Sequence, residues 1–187
     1  LQGDTAKPIL ERTLQSQIER LGPDDPRVAQ TRSNLAYLTP PGESIALLRL
    51  AAESFERGSA DDRREAPKII SRLAKLLKDK SRFAESAEAY RWGLRATADD
   101  PYGQGASVFR AGLASVQFLL GERDDAEWLL LAHFERATRE RGESAPETRH
   151  AAKAMADWYD QAGDSAEAGE WLKRAEPAAS GATAPAR

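Results

Sequence analysis

Residues 21–44 read LGPDDPRVAQTRSNLAYLTPPGES, which combines a turn, an amphipathic helix and two consecutive prolines. Asp25 is suited to cap a helix, and Pro26 suits the first helical position because its missing N–H has no partner there. Apolar-facing residues then recur at the helical period, at Val28, Thr31, Leu35 and Leu38. Pro40 and Pro41 predict an abrupt end to this helix, since neither can donate to its hydrogen-bond ladder.

The composition disfavours several classes of function. The 187 residues include no cysteine and two histidines, and the net charge is −3 with acidic and basic residues interleaved. Disulfides and thiolate chemistry are therefore excluded, and His133 and His150 leave little for a histidine-based metal site or triad. Without a basic field the chain lacks the attraction that phosphate backbones require, so we expect no nucleic-acid partner.

The chain shows no membrane or export signal. No apolar run approaches the roughly 18 residues of a membrane span, and the N-terminus lacks the regions of a signal peptide. We therefore expect no membrane insertion; the compartment stays open, with the cytoplasm favoured. A first residue of Leu1 suggests a processed chain or a piece of a longer one. Residues 177–187, PAASGATAPAR, predict a Pro/Ala-rich flexible tail after a helical repeat domain over residues 1–176.

Short helices separated by Gly, Pro and Asp turns fill the chain, and no segment alternates like a half-buried strand. Four helices share a large residue followed by alanine, in SNLAYL, SRLAKLL, AGLASVQ and KAMADWY. The alanines are separated by 38, 40 and 42 residues, at Ala36, Ala74, Ala114 and Ala156. This spacing predicts an all-α array of helical hairpins that repeats about every forty residues.

A second helix follows each of these four. In three hairpins a small residue lies twelve positions after the alanine, at Ser86, Ala126 and Ala168, whereas Ser44 follows Ala36 by only eight. About one helical turn is therefore missing from the first hairpin, and its two prolines supply the stop.

Two further features complete the predicted array. Gly121 and Gly163 are expected in the left-handed conformation at turns between paired helices. Residues 6–21, AKPILERTLQSQIERL, read as a second helix without its partner. The chain is thus predicted to hold one half-repeat and four full hairpins.

The repeated helices resemble the tetratricopeptide repeat (TPR), and more narrowly its kinesin-light-chain-like variety. The segments that carry the resemblance include SNLAYL, LGPDDPRVAQTRSNLA, GERDDAEWLLLA and AGDSAEAGEWLKRA. The resemblance covers roughly residues 5–176. It implies a right-handed solenoid of antiparallel helical hairpins with about four and a half TPR-like repeats. The chain departs from the family where Ser44 and Ser86 replace the usual small alanine and where His133 and Gly93 occupy a later small position.

In this family the first helices of successive hairpins line a concave groove that commonly binds extended peptides. Position relative to the packing alanine therefore implies the partner-binding residues. They are Ser33, Asn34 and Tyr37; Lys68, Ser71, Arg72, Lys75 and Lys78; Val108, Ala111, Ser115 and Phe118; and His150, Lys153, Asp157 and Asp160. The family's frequent asparagine stands only at Asn34, whose amide could read a peptide backbone.

The positions of this set between residues 68 and 78 are also supported by their spacing alone. Residues 68, 71, 75 and 78 differ by three, four and three, so they form one polar stripe along a helix. The stripe is either an ordinary solvated lysine face or a basic groove for an acidic or carboxylate-bearing peptide. Phe118 and Leu119 would add apolar surface near a groove, or they pack between neighbouring helices.

Catalysis finds no support in the residues. The chain has no Gly-rich phosphate loop, paired-histidine ligand set or nucleophile elbow, and acidic pairs such as Asp24–Asp25 precede helices as caps do. His133 is expected to be a core or interface histidine. We therefore predict no catalytic residue, cofactor or metal, and a protein- or peptide-binding scaffold or adaptor.

Two alternatives stay open: a structural subunit that contacts partners through its ends or convex face, and the sensory region of a larger regulatory protein. Both ends are expected to self-associate, because the outermost helices retain apolar residues that a capping helix would replace. These residues are Ile9, Leu10, Leu14 and Ile18 near the start and Trp171 and Leu172 near the end.

Overall fold

The computed structural model describes residues 3–176, with side chains from residue 6 onward. Within that range the chain forms α-helices and no strand, as predicted. The helices are α1 (Gly3–Leu21), α2 (Pro26–Leu35), α3 (Pro41–Arg57), α4 (Ala60–Arg63), α5 (Ala66–Asp79), α6 (Phe83–Ala96), α7 (Gln104–Leu119), α8 (Arg123–Arg141), α9 (Pro146–Gln161) and α10 (Ser165–Ala175). The predicted tail at residues 177–187 lies outside the described residues.

The helices pair as the repeat predicts. The four hairpins are α2–α3, α5–α6, α7–α8 and α9–α10, and α1 packs on α2 as the half-repeat. The single-turn α4 was not predicted. Ser59 and Asp62 cap its N-terminus with a reciprocal capping box. The chain divides into two compact units, Leu1–Asp99 and Asp100–Arg187, which we describe separately.

In the first unit, the two serines that replace the family's small alanine stabilise their hairpins directly. The Ser44 hydroxyl donates to the Ala36 carbonyl at 2.9 Å, and the Ser86 hydroxyl donates to the Ala74 carbonyl at 2.8 Å. Both serines and both alanines are buried. Each serine therefore keeps the helices close and adds a hydrogen bond that alanine cannot form, so its own buried hydroxyl is satisfied.

In the second unit, the packing alanine Ala114 and the small residue Ala126 of the following helix are fully buried. They lie beside Leu130, Met155 and other apolar side chains. Trp171 of α10 joins this core. It is only 8% exposed, and its ring meets Phe134 edge-on with centroids 4.9 Å apart. The expectation that Trp171 is left uncovered is wrong, because α10 turns this side chain toward its own unit; the adjacent Leu172 points outward.

An arginine anchors the loop before the first helix in two hairpins. Arg32 Nη1 donates to the Pro23 carbonyl, and Arg110 Nη1 donates to the Pro101 carbonyl, both at 2.7 Å. Burial lowers the pKa of both arginines, although a guanidinium stays charged at neutral pH. These contacts were not predicted from the sequence. Their sequence signal is a Pro-to-Arg spacing of nine residues that recurs at corresponding positions of the repeat.

The first hairpin is shortened differently from the prediction. Helix α2 ends at Leu35, before the prolines, and the chain tightens through bonds from Tyr37 N to Asn34 O (3.1 Å) and from Leu38 N to Leu35 O (2.9 Å). Pro41 begins α3 instead of ending α2. A proline suits the first helical position, and it also disfavours helical backbone in the residue before it, so both effects act at this turn.

The turns between paired helices require left-handed backbone. Gly121 and Gly163 have φ of 84° and 83°, as predicted. Each lies seven residues after a packing alanine, and Ser81 occupies that place in the α5–α6 hairpin with φ of 56°. A residue with a Cβ is strained there, by about 1–2 kcal/mol.

We expect Ser81→Gly to raise the free energy of unfolding by up to about 1 kcal/mol, because the relieved strain exceeds the extra chain entropy of glycine. The matched change Gly121→Ser should lower it by a similar amount. Urea unfolding followed by circular dichroism measures both. A destabilised Ser81→Gly variant would contradict the assignment of this turn.

Candidate functional site

Five of the sequence-predicted binding residues line one groove in the first unit, between the α2–α3 turn and α5. We call it the Tyr37 groove; its volume is about 590 Å³. It is lined by Ala36, Tyr37, Thr39, Pro41, Ser44, Lys68, Ser71, Arg72, Lys75, Leu76 and Asp79. The structure therefore brings together predicted residues from two successive hairpins.

Tyr37 and Arg72 form the centre of the groove. The Arg72 Cζ atom lies 3.1 Å from the centroid of the Tyr37 ring, and its Nη1 donates to the Ser33 carbonyl at 2.8 Å. Burial lowers the pKa of Arg72, yet the guanidinium remains positive. Tyr37 itself is 71% exposed. A fixed cation and an open aromatic ring therefore lie side by side.

The groove has an excess of positive charge. Three cationic side chains line it, Lys68, Arg72 and Lys75, against one carboxylate, Asp79. Lys68 Nζ lies 2.7 Å from a Glu65 carboxylate oxygen, but both side chains are well exposed, so this pair contributes little to stability. An anionic partner can therefore compete for Lys68 at small cost.

Three other predicted residues of the first unit do not line this groove. Ser33 is buried and contributes its carbonyl to Arg72. Asn34 is exposed, and its Oδ1 accepts a hydrogen bond from Gln30 Nε2 at 3.0 Å. Lys78 is half-buried on α5 and is engaged in an interaction of its own.

The predicted residues of the second unit make local contacts. The Ser115 hydroxyl donates to Gln161 Oε1 at 2.8 Å, linking α7 to α9. Phe118 is half-buried, with the Arg123 guanidinium 5.4 Å from its ring centroid. Lys153 and Asp157 form an exposed ion pair of 2.9 Å on one face of α9.

The other four predicted positions of this unit differ in accessibility. Val108, His150 and Asp160 are exposed, and Ala111 is half-buried. Leu119, beside Phe118, is exposed as well.

The acidic residues that were predicted as caps include a clear example. Asp25 Oδ1 accepts from Arg27 N at 2.9 Å at the start of α2, and the Arg27 side chain and backbone together lower the pKa of this carboxyl. Among residues 3–176, no group of three His, Asp or Glu side chains could hold a metal ion. In the same range no helix is sufficiently long and apolar to span a membrane.

His133 is a core histidine, as predicted. It is 6% exposed, and its ring stacks on Tyr102 with centroids 6.1 Å apart and planes 13° apart. Its Nε2 atom is buried without a hydrogen-bond partner. Burial, and then the nearby Arg110 and Arg136, lower its pKa from 6.5 to about 4. The side chain is therefore neutral at physiological pH.

Comparison with known proteins shows what part of this chain resembles in sequence. Residues 106–180 match the tetratricopeptide-repeat family model. No curated protein matches the chain in sequence.

Solved structures extend the likeness to nearly the whole chain. The nearly identical TPR-like repeats described for a Podosopora anserina kinesin light chain superpose with a TM-score of 0.71 at 17% identity, over 93% of this chain and 85% of that one. BtubC (BKLC) from P. vanneervenii gives 0.64 at 20% identity, over 94% and 72%. The chain has the fold of a kinesin-light-chain-like TPR protein, and the resemblance inferred from its sequence is confirmed.

The low pKa of His133 makes stability depend on pH. Between pH 6.5 and about 4 the unfolded chain binds a proton that the folded chain excludes, so stability falls as pH falls through this window. From about pH 6.5 to about pH 5 this residue should cost the protein about 2 kcal/mol.

We expect His133→Ala to remove this part of the pH dependence, and His150→Ala to leave it unchanged because that side chain is exposed. Urea unfolding at several pH values gives the slopes. Other groups titrate equally in all three proteins, so the difference in slope isolates His133. If the stability of His133→Ala depended on pH as steeply as that of the wild type, the attribution of this pH dependence to His133 would be wrong.

Proposed function

We propose that the chain is a non-catalytic scaffold or adaptor that binds, in the Tyr37 groove, a peptide with an acidic group next to an apolar side chain. The TPR-like fold is typical of protein-interaction scaffolds. The observation that supports the finer proposal is the assembly of Tyr37, Lys68, Ser71, Arg72 and Lys75 around one groove.

The acidic preference follows from charge. Lys68, Arg72 and Lys75 outnumber Asp79, so a carboxylate entering the groove gains charge-assisted hydrogen bonds that a neutral group does not. Arg72 is already held by the Ser33 carbonyl and the Tyr37 ring. Binding therefore loses little side-chain entropy at this residue, which favours affinity.

The apolar preference follows from Tyr37 and Leu76, which present an aromatic and an aliphatic side chain to the same groove. Its volume of about 590 Å³ suits a few side chains of an extended peptide. An exposed aromatic ring of this kind can cover apolar surface of a ligand at low entropic cost. Acidic and apolar groups on one peptide would thus be recognised together.

The direct test uses an array of short synthetic peptides in which acidic and apolar residues are varied separately. We expect enrichment for peptides that combine both. The double variant Lys68→Glu/Lys75→Glu should weaken binding at least tenfold and reduce its sensitivity to salt. Lys80→Glu is the matched control, because Lys80 is exposed at the end of α5 and does not line the groove.

Circular dichroism confirms that each variant keeps its fold. Tyr37→Ala should also weaken binding, through loss of the ring and of the fixed position of Arg72. If the wild type and the double variant bound the enriched peptides with equal affinity, Lys68 and Lys75 would be ordinary solvent-exposed lysines without a role in binding.

A second candidate is a structural role through self-association, supported by α1. Ile9 is 54% exposed on this helix. Apolar area in water costs roughly 25 cal/mol per Å², so a second chain covering this face would be stabilised.

We expect Ile9→Glu to weaken self-association, whereas Leu50→Glu, at an exposed leucine on α3, should not. Light scattering and sedimentation across a concentration series measure this. A wild-type chain that stays monomeric into the millimolar range would exclude this role.

A further inference from the structure

A second, smaller cleft lies in the second unit and is independent of the Tyr37 groove. Its volume is about 170 Å³, and its lining includes Tyr102, Arg110, His133 and Arg136. We call it the Tyr102 cleft. The loop before α7 supplies Tyr102, α7 supplies Arg110, and α8 supplies the other two residues. Two arginines from different helices therefore meet at one concave surface.

Positive charge is in excess around this cleft. The Cζ atoms of Arg136 and Arg141 lie 5.9 and 5.2 Å from the Tyr102 ring centroid. Glu140 offsets one charge, since it accepts a hydrogen bond from Arg136 Nε at 2.9 Å. Arg110 adds a third guanidinium, whose Nη1 donates to the neutral Pro101 carbonyl.

Comparison with the corresponding arginine of the first unit shows that the fold does not require this excess. Arg32 anchors its loop through the same carbonyl contact as Arg110. Burial lowers the pKa of Arg32, Asp24 and Glu53 raise it, and Arg57 lowers it. Burial also lowers the pKa of Arg110, while Tyr102 raises it and Arg136 lowers it. Two carboxylates therefore act on the anchor of the first unit, whereas a phenol and a cation act on the anchor of the second.

The size of the cleft limits the ligand. Pockets for drug-sized ligands have volumes of roughly 300–1,000 Å³, so about 170 Å³ suits a single small group. Guanidinium groups offer paired N–H donors that match the oxygens of a carboxylate or a phosphate.

We propose that the Tyr102 cleft binds one oxyanion group, a carboxylate or a phosphate, held between Arg110 and Arg136 above the stacked rings of Tyr102 and His133. The two arginines supply the hydrogen bonds and the charge. The buried rings of Tyr102 and His133 form the floor. The bound anion replaces the missing carboxylate that balances Arg32 in the other unit.

His133 provides an internal reporter for this site. Its Nε2 is buried, so it need not touch the ligand. Burial is the main cause of its low pKa, and the charges of Arg110 and Arg136 lower this pKa further. An anion that offsets these charges raises that pKa. Further charged groups near the cleft are Glu140, which pairs with Arg136, and Arg141, both on α8.

The chain contains two histidines, so both can be followed by nuclear magnetic resonance of their ring C–H signals. Inorganic phosphate and acetate are titrated separately, with chloride at matched ionic strength as the reference. At neutral pH, where both ligands are anions, we expect the His133 signal to move saturably with one or both oxyanions while the exposed His150 signal stays constant. With phosphate, which stays anionic at acidic pH, the pKa of His133 should also rise. The oxyanion with the stronger effect identifies the ligand chemistry.

Two variants make the test specific. Arg136→Gln should weaken anion binding about tenfold, the loss of one charge-assisted contact. Arg139→Gln is the matched control, exposed on the same helix and outside the cleft lining, and should change binding less than twofold. Arg110→Lys keeps a charge and a donor for the Pro101 carbonyl, and should bind more weakly without unfolding the unit.

The proposal is overturned by a His133 signal that does not saturate, by parallel changes at His133 and His150, or by equal effects of Arg136→Gln and Arg139→Gln. Far-ultraviolet circular dichroism recorded on each sample shows that these comparisons are made on folded protein.

Discussion

The close approach of paired helices at the packing alanine is the contact on which the rest of the structure depends. Alanine removes the side-chain bulk that would separate the helices, and a small residue on the second helix completes the contact. Ser44 and Ser86 strengthen it with hydrogen bonds to the alanine carbonyls. One face of each first helix is committed to this contact, which leaves the residue after each alanine on a different face.

The Tyr37 groove follows from that constraint. Ala36 and Ala74 are buried at their helix pairs, and the residues immediately after them, Tyr37 and Lys75, are exposed. The missing helical turn of the first hairpin brings the α2–α3 turn beside α5, where Arg72 reaches back to the Ser33 carbonyl. A contact that stabilises the repeat thus also fixes the cation at the centre of the groove.

Periodicity predicted what depends on spacing along the chain: the hairpins, the left-handed turns at Gly121 and Gly163, and a polar stripe along α5. Tyr37 and Arg72 entered the predicted set through the family resemblance. It could not predict contacts that depend on side-chain direction. Trp171 was expected to be exposed, yet a small rotation of α10 decides whether it faces the core or water. The roles of Arg32 and Arg72 likewise depend on carbonyls that are 9 and 39 residues away along the chain.

Repeats make such long-range contacts informative because the same position can be compared in different surroundings. His133 stands where the first hairpin has the buried Ala51, seven residues after the small packing residue of its second helix. Arg32 and Arg110 hold corresponding loops, and the pKa of Arg32 responds to two carboxylates and Arg57 whereas that of Arg110 responds to Tyr102 and Arg136. The backbone contacts explain what the two hairpins share. The differences therefore need another explanation, and in the second unit they concentrate around the Tyr102 cleft, where a buried neutral histidine and surplus arginines replace an alanine and a balanced charge.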